Sequence, residues 1–155
     1  MLNLTQRKSS PRRDARASRQ AYVLEEQVGF ILRQATQRHV GIFSEHMDEG
    51  LTPTQFSVVN MLDRVGSCSQ NQLGRLVAMD AANVKGVIDR LTTRGITRTS
   101  LDPSDARLLV VTLTSDGKKL ARDCISSAIQ ISEETLAPLT TAERKRLLAL
   151  LKKIT

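Results

Sequence analysis

The chain has 155 residues, one domain's worth and enough to bury a hydrophobic core without disulfides or metals as staples. Aromatic residues make up only 3% against plentiful Leu, Ile, Val and Ala, a balance that favours helices packed on helices over a β-sandwich. Lys and Arg outnumber Asp and Glu by 23 to 16, so the surface attracts polyanions, and no apolar run approaches the ~20 residues of a membrane span.

Residues 7–19, "RKSSPRRDARASR", carry six basic side chains against the single acid Asp14. Nothing in that run could bury apolar area, so residues 1–15 read as a flexible basic arm, either a DNA contact or a solvated tail. No signal-peptide core follows the arginines, and a cytoplasmic location is expected.

From about Arg16 to Met47 the pattern is a long helix with Val28, Leu32, Ala35, Ile42 and Phe43 along one side. Roughly thirty residues at 1.5 Å each span about 45 Å, more than a small domain needs for its own core. Such a helix packs against something outside its domain.

Thr52, Pro53 and Gln55 give the spacing of a capping box with proline at the first helical position. Phe56, Val59, Leu62 and Val65 are the expected buried face, and Gly66 closes the helix. Ser69 with Gln72 repeats the capping-box spacing and opens a helix of about two turns with Leu73, Leu76 and Val77 inward. Asp80 then caps a helix over Ala81–Arg94.

In that helix Val84, Val87, Ile88 and Leu91 fall at i, i+3, i+4 and i+7 and must pack inward. Ala82, Gly86, Asp89 and Thr93 point the other way, with Lys85 and Arg90 on the flanks and Asn83 near the start. Small and polar residues on that front let a helix sit deep in a major groove, and its N-terminal end is where base edges are met. Asp89, being acidic, is expected to orient an arginine rather than approach phosphate. Arg90 has a second reading, as an ion-pair partner inside the module, with Asp105.

Gly95 stands where a left-handed cap belongs. "ITRTS" and "LLVVTL" read as two strands joined by a loop holding Asp102, Pro103, Ser104 and Asp105, with Arg107 where the loop enters the second strand. A guanidinium carried on such a hairpin can enter a narrow minor groove. Arg75 and Arg98 are expected to clamp the phosphate backbone, or else to be solvated charges. Beyond Thr114 a second long helix runs to about Leu136 with Leu120, Cys124, Ala128 and Ile131 on its apolar side. Pro138 interrupts it, and Thr140 with Glu143 opens a last helix carrying Leu147, Leu150, Leu151 and Ile154.

Cys68 and Cys124 lie far apart with no metal-type spacing and read as buried, inert thiols. There is no phosphate loop, no nucleophile elbow and no HExxH, and there are only two histidines, so no catalytic constellation, metal or cofactor is expected. The fold expected is mostly α: a winged helix-turn-helix of about six helices and a β-hairpin wing, with a dimerisation layer made by both chain ends.

The segments "LTPTQFSVVNML", "CSQNQLGRLVAMD", "VKGVIDRLTTRGI" and "DPSDARLLVVTLTSDG", in that order, resemble the winged helix-turn-helix of the MarR family of bacterial transcriptional regulators. The resemblance implies a single domain over 16–155, with dimerisation helices at 16–48 and 115–155 and a DNA-binding module at 51–114. It implies a homodimeric repressor that binds a pseudo-palindromic operator in double-stranded DNA and is released by a small phenolic or aromatic carboxylate effector, with catabolic or efflux genes as targets. The family's Asp-x-Arg wing motif is matched by Asp105 and Arg107, with Ala106 where relatives often carry a base. The usual family pocket lies between the first long helix and the winged module. Arg33, Arg38, His39 and His46 are the expected polar ligand contacts, with Phe56 and Met61 as lining or else plain core, and a histidine, His46 ahead of His39, is alternatively satisfied at the dimer interface. A competing reading is a winged module for protein interaction or DNA architecture with non-specific DNA affinity.

Overall fold

The computed structural model describes residues 22–155, so the arm at 1–15 and the basic run at 7–19 lie outside the described residues. The chain divides into two compact units, one ending at Gln34 and the other running Ala35–Thr155. In the first, a 3-10 turn at Leu24–Glu26 precedes helix α1, Val28–His46. The helix expected from Arg16 is thus not α-helical between Tyr22 and Gln27. Gln27 is extended (φ −83°, ψ 133°), and its side-chain amide donates to the Val23 carbonyl at 2.9 Å, closing that segment on itself.

In the second unit the C-terminal part of α1 is followed by α2 (Pro53–Val65), β1 (Ser67–Ser69), α3 (Gln70–Leu76) and α4 (Ala81–Thr93). Then come β2 (Thr97–Leu101), β3 (Leu109–Leu113), α5 (Ser115–Asp123), α6 (Ile125–Thr135) and α7 (Thr141–Leu151). The caps explain most of these boundaries. At Thr52 the hydroxyl accepts the Gln55 N–H while the Gln55 side chain accepts the Thr52 N–H at 3.0 Å, a complete capping box repeated by Thr140 and Glu143. Ser69 caps α3 through the Gln72 N–H at 3.3 Å, without the return bond that the spacing suggested. Gly95 has φ 71°, the left-handed conformation that ends α4.

Packing corrects two faces. The capping box draws Gln55 inside, so α2 buries Gln55, Val58, Val59 and Leu62, while Phe56 is half-buried and Val65 exposed. In α3 Leu73 is buried but Leu76 is exposed. The four apolar residues of α4 are all buried, as their spacing requires. They join Val58, Val59, Leu62, Leu73, Cys124 and Ile131 in one core.

The wing is part of a three-stranded antiparallel sheet in the order β1-β3-β2. β1, the "SCS" connector, pairs Cys68 with Val111, and β2 pairs Arg98 with Thr112. The expected rod after Thr114 divides at Cys124 into α5 and α6. At its start, the Thr114 hydroxyl donates to the Gly95 carbonyl at 2.6 Å and accepts the Gly117 N–H at 3.1 Å. A Cβ at Gly117 would collide with the Ile96 carbonyl, so the close approach of α5 to the base of the wing depends on glycine there. Among the described residues, no helix is long and apolar enough to cross a membrane.

Candidate nucleic-acid interface and effector groove

Burial of Val84, Val87, Ile88 and Leu91 leaves the other side of α4 in solvent, where Ala82, Asn83, Lys85 and Arg90 are exposed and Gly86 is half-buried. Asp80 starts this surface: one carboxylate oxygen accepts the Asn83 backbone N–H at 2.8 Å and the other accepts the Asn83 side-chain N–H. The backbone bond chiefly holds the Asp80 carboxyl below its ordinary pKa. Asn83 and Arg90 share the wall of a cleft of about 330 Å³ that continues to Thr54 and Ala78.

Two expectations about this helix are corrected. Asp89 does not orient an arginine; it takes the Lys85 ammonium at 2.6 Å, one turn away on the same flank. Arg90 forms no ion pair with Asp105. It lies along its own helix, with one terminal nitrogen 3.7 Å from where a Cβ on Gly86 would stand. A Cβ there would make only an ordinary van der Waals contact with it.

Asp105 belongs instead to the wing. One of its oxygens accepts both the Arg107 backbone N–H at 3.0 Å and the Arg107 side-chain Nε at 3.2 Å. Arg107 is otherwise in solvent, its side chain 93% exposed, so Asp105 pairs with the guanidinium at Nε and leaves its two terminal nitrogens outward. Upstream, Asp102 accepts from the Ser104 hydroxyl and from the backbone N–H groups of Ser104 and Asp105, an Asx turn that shapes the loop. Both carboxyls are held below their ordinary pKa, Asp102 chiefly by the Ser104 hydroxyl and Asp105 chiefly by the Arg107 N–H.

The outlying cations differ in state. Arg75 is exposed in the last turn of α3. Arg98 donates to the Thr112 hydroxyl across the hairpin at 3.3 Å and, with Lys118 and Ser115, lines a recess of about 250 Å³. Lys118 was not expected, although its place one turn after the Thr114 cap was readable. Arg94 was also missed: its guanidinium donates to the carbonyls of Glu49 and Gly50 at 3.1 and 3.0 Å, tying the end of α4 to the loop before α2.

The expected ligand residues fall into separate groups. Arg33 belongs to the first unit, where its guanidinium lies 5.5 Å over the Phe30 ring. Arg38 donates to the Glu134 carbonyl at 3.1 Å, His39 Nδ1 bonds the Thr135 hydroxyl at 2.9 Å, and His46 Nε2 meets the Glu134 carboxylate at 2.6 Å. His46 is therefore satisfied by α6 of its own chain, and Gln130 holds its other ring nitrogen at 3.3 Å. Phe56 and Met61 line a different space, a groove of about 380 Å³ between α2 and the end of α3 that also includes Asn60, Arg64 and Val77. The rings of His39, Phe43 and Phe56 form an edge-to-face chain at 6.2 and 6.0 Å. Arg64, whose guanidinium lies 3.1 Å from the Met61 sulfur, is the cationic group that sequence reasoning overlooked. Phe56, Asn60 and Arg64 recur every four residues, and that period was the available signal.

A helix-turn-helix followed by a hairpin with an outward arginine defines a winged-helix DNA-binding module. Residues 49–108 match the family model described as MarR family. The transcriptional repressor NicR of Pseudomonas putida is 40% identical over 134 residues, 86% of this chain and 85% of that one. Two solved structures are also close. A probable transcriptional regulator from Pseudomonas aeruginosa has 44% identity and a TM-score of 0.84, covering 86% of this chain and 100% of that one. BpsR of Bordetella bronchiseptica, whose DNA binding is regulated by 6-hydroxynicotinic acid, has 42% identity and a TM-score of 0.81, covering 86% and 96%. The chain belongs to the MarR family and is a transcriptional regulator of that type.

Proposed function

We propose that the protein is a homodimeric repressor of a pseudo-palindromic operator, released by a hydroxylated aromatic or heteroaromatic carboxylic acid. The observation that carries this reading is the 42% identity to BpsR over 86% of the chain, because that relative's DNA binding answers to 6-hydroxynicotinic acid. Catabolic or efflux genes for such an acid are the proposed targets, in the cytoplasm where the genome lies.

In this reading α4 enters the major groove, with Ala82 and Gly86 permitting close approach and Asn83, Lys85 and Arg90 facing bases and phosphates. Arg107, aimed by Asp105, enters the minor groove, and Arg75 and Arg98, with Lys118, hold the backbone. Two-fold symmetry sets the two α4 helices about 34 Å apart, one DNA turn. The terminal helices form the dimer layer, and the exposure of Ile125, Ile129, Leu148, Leu150 and Ile154 supports it, since that much apolar surface calls for a second copy.

The groove holding Phe56, Met61 and Arg64 fits the effector's chemistry: an apolar floor for a ring and a guanidinium for its carboxylate. His39 does not line it but stands two rings behind, with Phe43 between it and Phe56. Ala78, which sits in the turn between α3 and α4 with φ 54°, lines both this groove and the cleft beside Asn83. An acid that fits the groove in only one setting of that turn shifts the DNA face with it. A coupling of about 1–3 kcal/mol would change operator affinity ~5–150-fold.

Fluorescence-anisotropy titration tests the DNA half of the proposal. At fixed salt, duplex DNA flanking the protein's own gene is expected to bind at least ~10³-fold more tightly than random duplex. Equal affinity for both contradicts it and favours a non-specific architectural module.

A further inference from the structure

Among the described residues, five helices carry a side-chain cap, and four of those caps are hydroxyls: Thr52, Ser69, Thr114 and Thr140. The fifth, Asp80, opens α4 and is a carboxylate. Capping alone does not require the charge, since a serine satisfies the same N–H groups about as well. A negative charge at the start of a helix meant for DNA also works against phosphate attraction. The second carboxylate oxygen is what a hydroxyl lacks, and here it takes a side-chain N–H of Asn83.

That contact decides which way the Asn83 amide faces. An ionised carboxylate only accepts hydrogen bonds, so it attracts the amide nitrogen and repels the amide oxygen, and the flipped arrangement is rejected. With one N–H held by Asp80, Asn83 keeps one N–H and its Oδ1 for a partner, a donor beside an acceptor. Adenine presents the complement in the major groove, an N7 acceptor beside an N6 donor. Asn83 is exposed, stands in the first turn of α4 and lines the open cleft with Arg90.

We infer that Asp80 is a positioning residue for sequence readout, holding Asn83 in the one amide orientation that reads an adenine. The inference rests on the reading above that α4 enters the major groove. Asp80 itself touches no base; it acts through Asn83. Ala81, Ala82 and Val84, the other residues of the first turn, carry no side-chain hydrogen-bonding group, which leaves Asn83 as the base reader of that turn.

Selection from a library of random 30-base-pair duplexes tests this, using the full-length wild type, Asp80→Ser and Asn83→Ala. Serine keeps the cap, and far-UV circular dichroism with an unfolding midpoint checks that each variant folds. The wild type is expected to enrich a two-fold motif with an adenine fixed at one position of each half-site. Asn83→Ala and Asp80→Ser should both relax that position by about tenfold and leave the other positions as they were. The double variant should relax it no further than Asn83→Ala does. If Asp80→Ser weakens binding to all sequences alike with the preference intact, Asp80 is only a cap and the inference is overturned. It is equally overturned if Asn83→Ala relaxes no position. A wild type that enriches no motif contradicts the operator reading itself, and the inference falls with it.

Discussion

Arg107 owes its direction to one oxygen of Asp105, which binds it through both backbone and side chain two residues away. The guanidinium's remaining donors face solvent, where a phosphate or a base edge can meet them. Replacing Arg107 with Ala should therefore weaken operator binding by about tenfold and reduce the salt dependence by roughly one counterion, as read from anisotropy titrations at several salt concentrations. An unchanged affinity would remove the wing from the interface. The cysteines make the opposite kind of statement. Cys68 and Cys124 are free and buried, and burial, aided for Cys124 by the Glu49 and Asp123 carboxylates, pushes the Cys124 thiol up to about 11. Both should stay neutral and resist iodoacetamide at pH 8 in the folded protein, then react on unfolding. Labelling of either at the rate of a free thiol would show that the core opens. The spacing of α4 was enough to predict its four buried residues, because a helix face follows from period alone. Charge pairing was legible only where it is local: the i,i+4 spacing of Lys85 and Asp89 on the expected helix already allowed their pair, whereas the expected Arg90–Asp105 pair gave way to Arg107 in the folded wing.

The elements show where local signals stop. Every cap read from a Ser, Thr or Asp at the right offset is present, since a cap is satisfied within four residues. β1 was invisible because three residues have no alternation to detect; its partner β3 is more than forty positions away. Likewise, the division at Cys124 interrupts no apolar stripe, and the half-burial of Phe56 depends on where α3 ends. Gly117 was noticed only as part of a motif, although it governs how α5 meets the wing. Gly117→Ala should cost about 1–3 kcal/mol in chemical denaturation, because the Ile96 carbonyl in its way is backbone and cannot rotate aside. A neutral effect would mean that α5 tolerates a shift. The wing loop carries its own pH dependence. Asp102 and Asp105 have carboxyls held below the ordinary 3.8, so their contribution is fully present above that value and is lost as pH falls through the lower folded pKa. The amide resonances of Ser104 and Arg107 should hold steady from pH 8 to about 5 and shift only in acid. Movement near neutrality would contradict the Asx turn.

At the scale of the molecule, the class of the fold was legible because several modest signals agreed: caps, periods, a hairpin and a basic balance of charge. The ligand site was less so. Arg38, His39 and His46 stood out as polar residues on an apolar helix, yet contacts to α6 already engage them, and those arise from residues some ninety positions downstream. The groove with Phe56, Met61 and Arg64 needs α2 and the end of α3 together. Ala78 lines both this groove and the cleft beside Asn83, so in the proposed mechanism a ligand there would bear on α4 and make the DNA-binding module a regulated one. The most direct measurement is titration of 6-hydroxynicotinic acid into the preformed complex of the protein with its operator duplex, followed by anisotropy. The account predicts saturable release, with Arg64→Ala binding the operator normally but needing at least ~10-fold more acid to release it. A complex that stays intact at saturating 6-hydroxynicotinic acid, or an Arg64→Ala complex released at the wild-type concentration, would contradict it.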